Sequence, residues 1–242
     1  MSAPLGRTVE QHDWRQVARR ARALSGLGPT LRRLVLRSDV AVGYAVIVVA
    51  VFVYMEVIGG TMADTIVAQA STNLRNLQTH PFHALAFSAF VISEPAELLL
   101  LPVLVVAYAV AQYHFGRAAV LVSILIGHLL ATLVVAVTVL TSIFHGVLQP
   151  NVSLATDVGF SYGLACVSGL LVVVVPRGRW RLLYVAVVLA VCSSAILLGP
   201  PWLNLTSPSF TDLGHTLALL TGFGLSSLPG CRPAQAQCAD PG

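Results

Sequence analysis

Apolar residues in this chain fall in long unbroken runs, not at the three-to-four spacing of an amphipathic helix or in the alternation of a half-buried strand. Six runs are long enough to cross a bilayer as helices, and they predict spans at residues 41–58, 96–113, 118–140, 158–175, 182–198 and 212–228. Residues 59–95 break the pattern, being too polar at first to cross a membrane and then apolar from 82 to 92. A helix of that apolar length covers about 16 Å, half a bilayer, so it is expected to lie at the interface or re-enter from one side. The other connections are short, and no internal repeat is visible.

The chain has 242 residues, of which 56% are hydrophobic and 10% charged, against roughly 25% charged in globular domains. A soluble fold of this size cannot hide so much apolar surface. A water-soluble enzyme, a disordered regulator and a secreted disulfide scaffold are excluded, and the fold class expected is an all-α polytopic membrane protein with a six-helix bundle. The four cysteines make no framework: Cys166 and Cys192 lie in apolar runs, and Cys231 and Cys238 in the terminal tail. The expected organisation is a basic tail over 1–40, a membrane domain over 41–228 and a short tail over 229–242. The first tail is too long and charged for the leading region of a signal peptide and is read as retained.

All 14 basic residues are arginine, and their positions orient the spans. With the N-terminus inside, the cytoplasmic segments hold every arginine except Arg75, as the positive-inside rule requires. An integral, multi-pass protein of the plasma (inner) membrane follows, with both termini cytoplasmic. The tail arginines can attract anionic headgroups, so membrane lipids are expected partners and nucleic acid is not.

Charged groups inside a bilayer cost roughly 2.5–3.5 kcal/mol at its centre, so the few polar residues within the runs are the first candidates for function. Ser161 lies four residues after Asp157 in the fourth run and His215 three after Asp212 in the sixth, both runs starting on the outer side. Each side chain is then about 5–6 Å below the start of its helix. A serine hydroxyl is a weak nucleophile at neutral pH until an adjacent imidazole takes its proton, and this pair at one depth, reachable by water, suits peptide hydrolysis. Glycines and other small residues around both (Gly159, Gly163, Gly169, Ala218, Gly222 and Gly224) allow close helix approach. Asp157 and Asp212 read either as orienters of the imidazole or as acids favouring a helix start. His128 reads as a buried imidazole bonded to a neighbouring helix. His80, His83, Glu94 and Glu97 form a wet outer cluster, His83 having a place near the site; their spacing fits zinc poorly, and neither metal nor cofactor is expected.

These residues resemble a known family. Six spans, a long first outer loop with a half-membrane helix, Gly159-Phe160-Ser161 at the head of span four and Gly214-His215 at the head of span six are similar to the rhomboid intramembrane serine proteases and their non-catalytic relatives. Phe115-Gly116-Arg117 and Gly127-His128-Leu129-Leu130-Ala131-Thr132 also look like the second-to-third-span turn and third span of bacterial rhomboid-like proteins. The resemblance covers roughly residues 41–228. It implies Ser161 as nucleophile and His215 as base, without a carboxylate, acting on transmembrane protein substrates, with Gly159, Phe160 and His83 supporting the oxyanion. The sequence departs from the family where Tyr162 follows the serine in place of glycine. It departs again where Phe87, not asparagine, stands four residues after His83, and where the first loop lacks the Trp-Arg pair. A catalytically inactive relative binding transmembrane helices or lipids is the alternative reading.

Overall fold

The computed structural model describes residues 38–194 and 207–228. The basic tail, the end of the fifth predicted span and the last tail lie outside them. Every regular element among the described residues is helical. Helix α1 (Asp39–Ile58) leads through Gly59 and Gly60, both at positive φ (58° and 52°), into α2 (Gly60–Ala70), α3 (Leu74–Thr79) and α4 (Pro81–Ser88). A 3₁₀ turn (Pro95–Leu100) enters α5 (Leu101–Phe115), and Gly116 (φ 85°) turns the chain into α6 (Arg117–Phe144). Then come α7 (Ser161–Leu170), α8 (Arg179–Cys192) and α9 (Ser207–Ser226).

Among the described residues three helical segments are long and apolar enough to cross a membrane: Asp39–Ile58, Pro95–Phe115 and Arg117–Phe144. Their surfaces carry exposed Val46, Val53, Val106, Leu125, Leu133 and Val137, a continuous apolar exterior that water would not tolerate and lipid covers. The remaining predicted spans correspond to α7, α8 and α9, which are shorter or more polar. Helix α7 can be short because it faces protein rather than lipid: Tyr162 to Val167, Gly169 and Leu170 are all buried. It starts at Ser161 rather than at 158 and passes into a 3₁₀ turn at Leu171.

Helix α7 is wedged between α6 and α9, and glycines set the spacing. A Cβ added at Gly127 would stand 2.3 Å from Cys166 Cβ, and one at Gly169 would stand 2.3 Å from the Leu219 carbonyl oxygen. These approaches are closer than any side chain allows, so the backbones of α6, α7 and α9 meet almost directly, the close packing that small residues give helices in lipid.

The segment predicted as a mostly loop-like stretch with one half-membrane helix is instead a layer of three short helices. Ala63, Ile66, Val67 and Ala70 recur at helical spacing on α2 and pack against Val51, Met55, Val91 and Val158. Asn73 caps α3 by accepting the Asn76 N–H at 2.9 Å, and the Asn76 amide donates to the carbonyls of Ala68 (2.7 Å) and Ser71 (2.8 Å). The helix expected over 82–92 is α4, which stops at Ser88.

Candidate active site

The chain reaches α7 through Gly159, whose φ of 129° only glycine adopts without strain. Its N–H donates to the Ser88 carbonyl at 2.7 Å, tying the approach loop to the end of α4. Two residues later Ser161 opens the helix, preceded by the buried Phe160. Helix α9 carries His215 alongside. Its Nε2 lies 2.7 Å from Ser161 Oγ, a short hydrogen bond. The Asp212 carboxylate approaches the other ring nitrogen, Nδ1, at 3.9 Å. That is beyond hydrogen-bond length, but a carboxylate on this side favours the tautomer with hydrogen on Nδ1, which leaves Nε2 free to accept a proton.

Neither aspartate starts a helix. Helix α9 begins at Ser207, five residues before Asp212, and α7 has Phe160 in its cap position with no side-chain cap. Asp157 is a latch. Its carboxylate accepts from the Tyr162 hydroxyl (3.0 and 3.1 Å) and from Thr72 Oγ1 (3.0 Å), while its N–H donates to Ser71 Oγ (2.9 Å). Tyr162 thereby becomes part of the site. Its ring stands edge-on to His215, with centroids 5.2 Å apart at 73°, and lies tilted against His128 at 6.1 Å. Gly214 makes room for it, since a Cβ there would lie 2.4 Å from the Tyr162 ring. The residue that departs from the family pattern thus holds the imidazole in place.

His128 Nε2 lies 3.0 Å from Ser88 Oγ and 3.2 Å from the Leu85 carbonyl, which joins α6 to α4. His83 is not brought to Ser161: it is exposed, with its ring stacked on Phe87 at 4.5 Å. The residue of α4 that reaches the site's support is Ser88. Glu97, which the sequence places in the outer cluster and at the head of the second predicted span, reaches the space beside Gly159 that Ser161 also borders. A Cβ on Gly159 would be 3.6 Å from both a Glu97 carboxylate oxygen and Ser161 Oγ. The readable signal was depth, since Glu97 and Ser161 both stand at the outer ends of predicted spans. Among the described residues no three His, Cys, Asp or Glu side chains gather to hold a metal ion.

A family model described as rhomboid-like protein matches residues 37–235. The chain belongs to the rhomboid-like family. The match takes in every helix from α1 to α9 and both Ser161 and His215. Comparison with curated proteins and with solved structures gives no match. With three apolar helices of bilayer length among its described residues, this rhomboid-like protein is a membrane protein.

Proposed function

We propose that this rhomboid-like protein is an intramembrane serine endopeptidase in which Ser161 is the nucleophile and His215 the base. The observation that carries the reading is the 2.7 Å separation of His215 Nε2 and Ser161 Oγ. As Ser161 Oγ bonds to the carbonyl carbon of a transmembrane substrate, its proton passes to Nε2; the C–N bond then breaks and His215 returns that proton to the leaving amine. Water, deprotonated by the same imidazole, attacks the acyl-enzyme and releases the acid. The first N–H groups of α7 have no intrahelical acceptor and no side-chain cap. They are the oxyanion donors of this reading, together with the positive end of the helix dipole. Gly159 is not among them, because its N–H is bonded to Ser88.

The full arrangement proposed has six spans, both termini on the cytoplasmic side of the plasma (inner) membrane and the site opening outward, on the strength of the arginine distribution. The alternative, a non-catalytic protein binding transmembrane helices or lipids, is favoured by the engaged Gly159 N–H and by Tyr162 filling the space after the serine. Cleavage of a transmembrane substrate in proteoliposomes by the native protein and not by Ser161→Ala decides between them.

Asp212 acts in this reading as a positioning residue. Asp212→Asn is expected to lower kcat by about tenfold, near 1.4 kcal/mol, with KM little changed and most activity kept in Asp212→Glu. The loss is far below that of a buried, directly bonded triad aspartate because the 3.9 Å contact is longer and partly open to water. Equal kcat for Asp212→Asn and native protein would remove Asp212 from the mechanism.

A further inference from the structure

We propose that Glu97 determines substrate specificity by pairing with a cationic side chain, Lys or Arg, next to the scissile bond. This rests on the proteolytic reading of Ser161 and His215. One carboxylate oxygen of Glu97 is engaged, accepting from Ser93 Oγ at 2.7 Å. The other is turned toward Gly159, so that it and Ser161 Oγ lie within 3.6 Å of one point and no farther apart than twice that distance. A substrate carbonyl seated on Ser161 therefore brings its neighbouring side chain against this oxygen.

Glu97 is partly buried, and the ion pairs found among the described residues, Arg117 with Asp39 and His215 with Asp212, do not include it. Among the described residues Glu94, on the same turn, carries its sign, and the carboxylates at the site, Asp157 under Tyr162 and Asp212 beside His215, are acidic as well. Between residues 38 and 116 the only arginine is Arg75, exposed on α3. A half-desolvated carboxylate without a cation is poorly solvated by the protein and discriminates strongly by charge: a substrate cation completes the pair, whereas an acidic side chain meets repulsion. The pair also matters for the rate. A free carboxylate this close to the nucleophile opposes the negative charge that develops on the tetrahedral intermediate, and a substrate cation cancels that opposition as the charge forms.

The test uses transmembrane peptides that differ only by Arg or Glu at one of the residues flanking the scissile bond, presented to the full-length protein in micelles. The native protein is expected to give a kcat/KM at least tenfold higher for the Arg peptide at one flanking position. In Glu97→Gln that ratio falls toward one, and in Glu97→Arg it inverts. Because each ratio compares two substrates of one protein sample, the folded fraction cancels. The same peptides bound to Ser161→Ala, followed by fluorescence anisotropy, are expected to show the same order of affinity, lost when Glu97→Gln is added. Ratios left unchanged by both Glu97 substitutions overturn the proposal while Ser161-dependent cleavage stands. A Glu97-dependent binding preference without any cleavage supports the pairing and removes the protease instead.

Discussion

Ser161→Ala and His215→Ala are each expected to lower the cleavage rate by about 10⁴- to 10⁶-fold, and the double variant is expected to be no slower than either alone. The two groups work as one unit. Without the imidazole the hydroxyl keeps its proton and remains a poor nucleophile; without the hydroxyl the imidazole has only water to activate. What survives is the contribution of substrate binding and of the oxyanion donors at the start of α7. Losses that multiplied in the double variant would show two independent roles and contradict a shared proton transfer across the 2.7 Å contact. Rates are read by gel shift of a labelled transmembrane substrate in proteoliposomes.

The second large effect concerns the seam that brings those groups together. Gly222→Val is expected to destabilise the membrane domain by at least the upper end of the ~1–3 kcal/mol usual for overpacking, and to abolish cleavage. A Cβ at Gly222 would stand 1.9 Å from the Cys166 carbonyl oxygen and 2.9 Å from Gly169 Cα. Both obstacles are backbone, so no rotamer change relieves them and α7 must move away from α9. Ser161 rides on one helix and His215 on the other, so the displacement also parts the dyad. Gly224, two residues further along α9, is exposed and has nothing within 4 Å of its added Cβ, so Gly224→Ala is expected to be tolerated. Thermal unfolding in detergent measures the difference. A Gly222→Val protein as stable as Gly224→Ala would refute the backbone seam.

The long apolar runs of α1, α5 and α6 made those helices readable within a few residues, because a helix facing lipid must be apolar all round and of bilayer length. Helix α7 obeys neither constraint. It is enclosed by α6 and α9, so its start is set by the Gly159 turn and not by hydropathy. The common depth inferred from Asp157 and Asp212 used the wrong origins, since α7 starts at Ser161 itself and α9 at Ser207. Ser161 and His215 are adjacent because α9 extends about two turns beyond the head of α7, a feature of packing that the two runs do not encode. The apolar face of α2, at Ala63, Ile66, Val67 and Ala70, was legible but shorter than a span and flanked by polar residues. Local pattern could not show the roles of Asp157 and Glu97. The bond from Thr72 to Asp157 joins positions 85 residues apart, and Glu97 meets Gly159 only after α5 and α6 have turned the chain back on itself.

Labelling with a fluorophosphonate probe tests the central claim most directly, because the reagent reacts with a serine only when a base has activated it. Peptide mass spectrometry is expected to place the adduct on Ser161 in the native protein and to find it reduced at least a hundredfold in His215→Ala. Native protein that takes up no probe, or an adduct at Ser161 that forms equally fast without His215, would contradict the account.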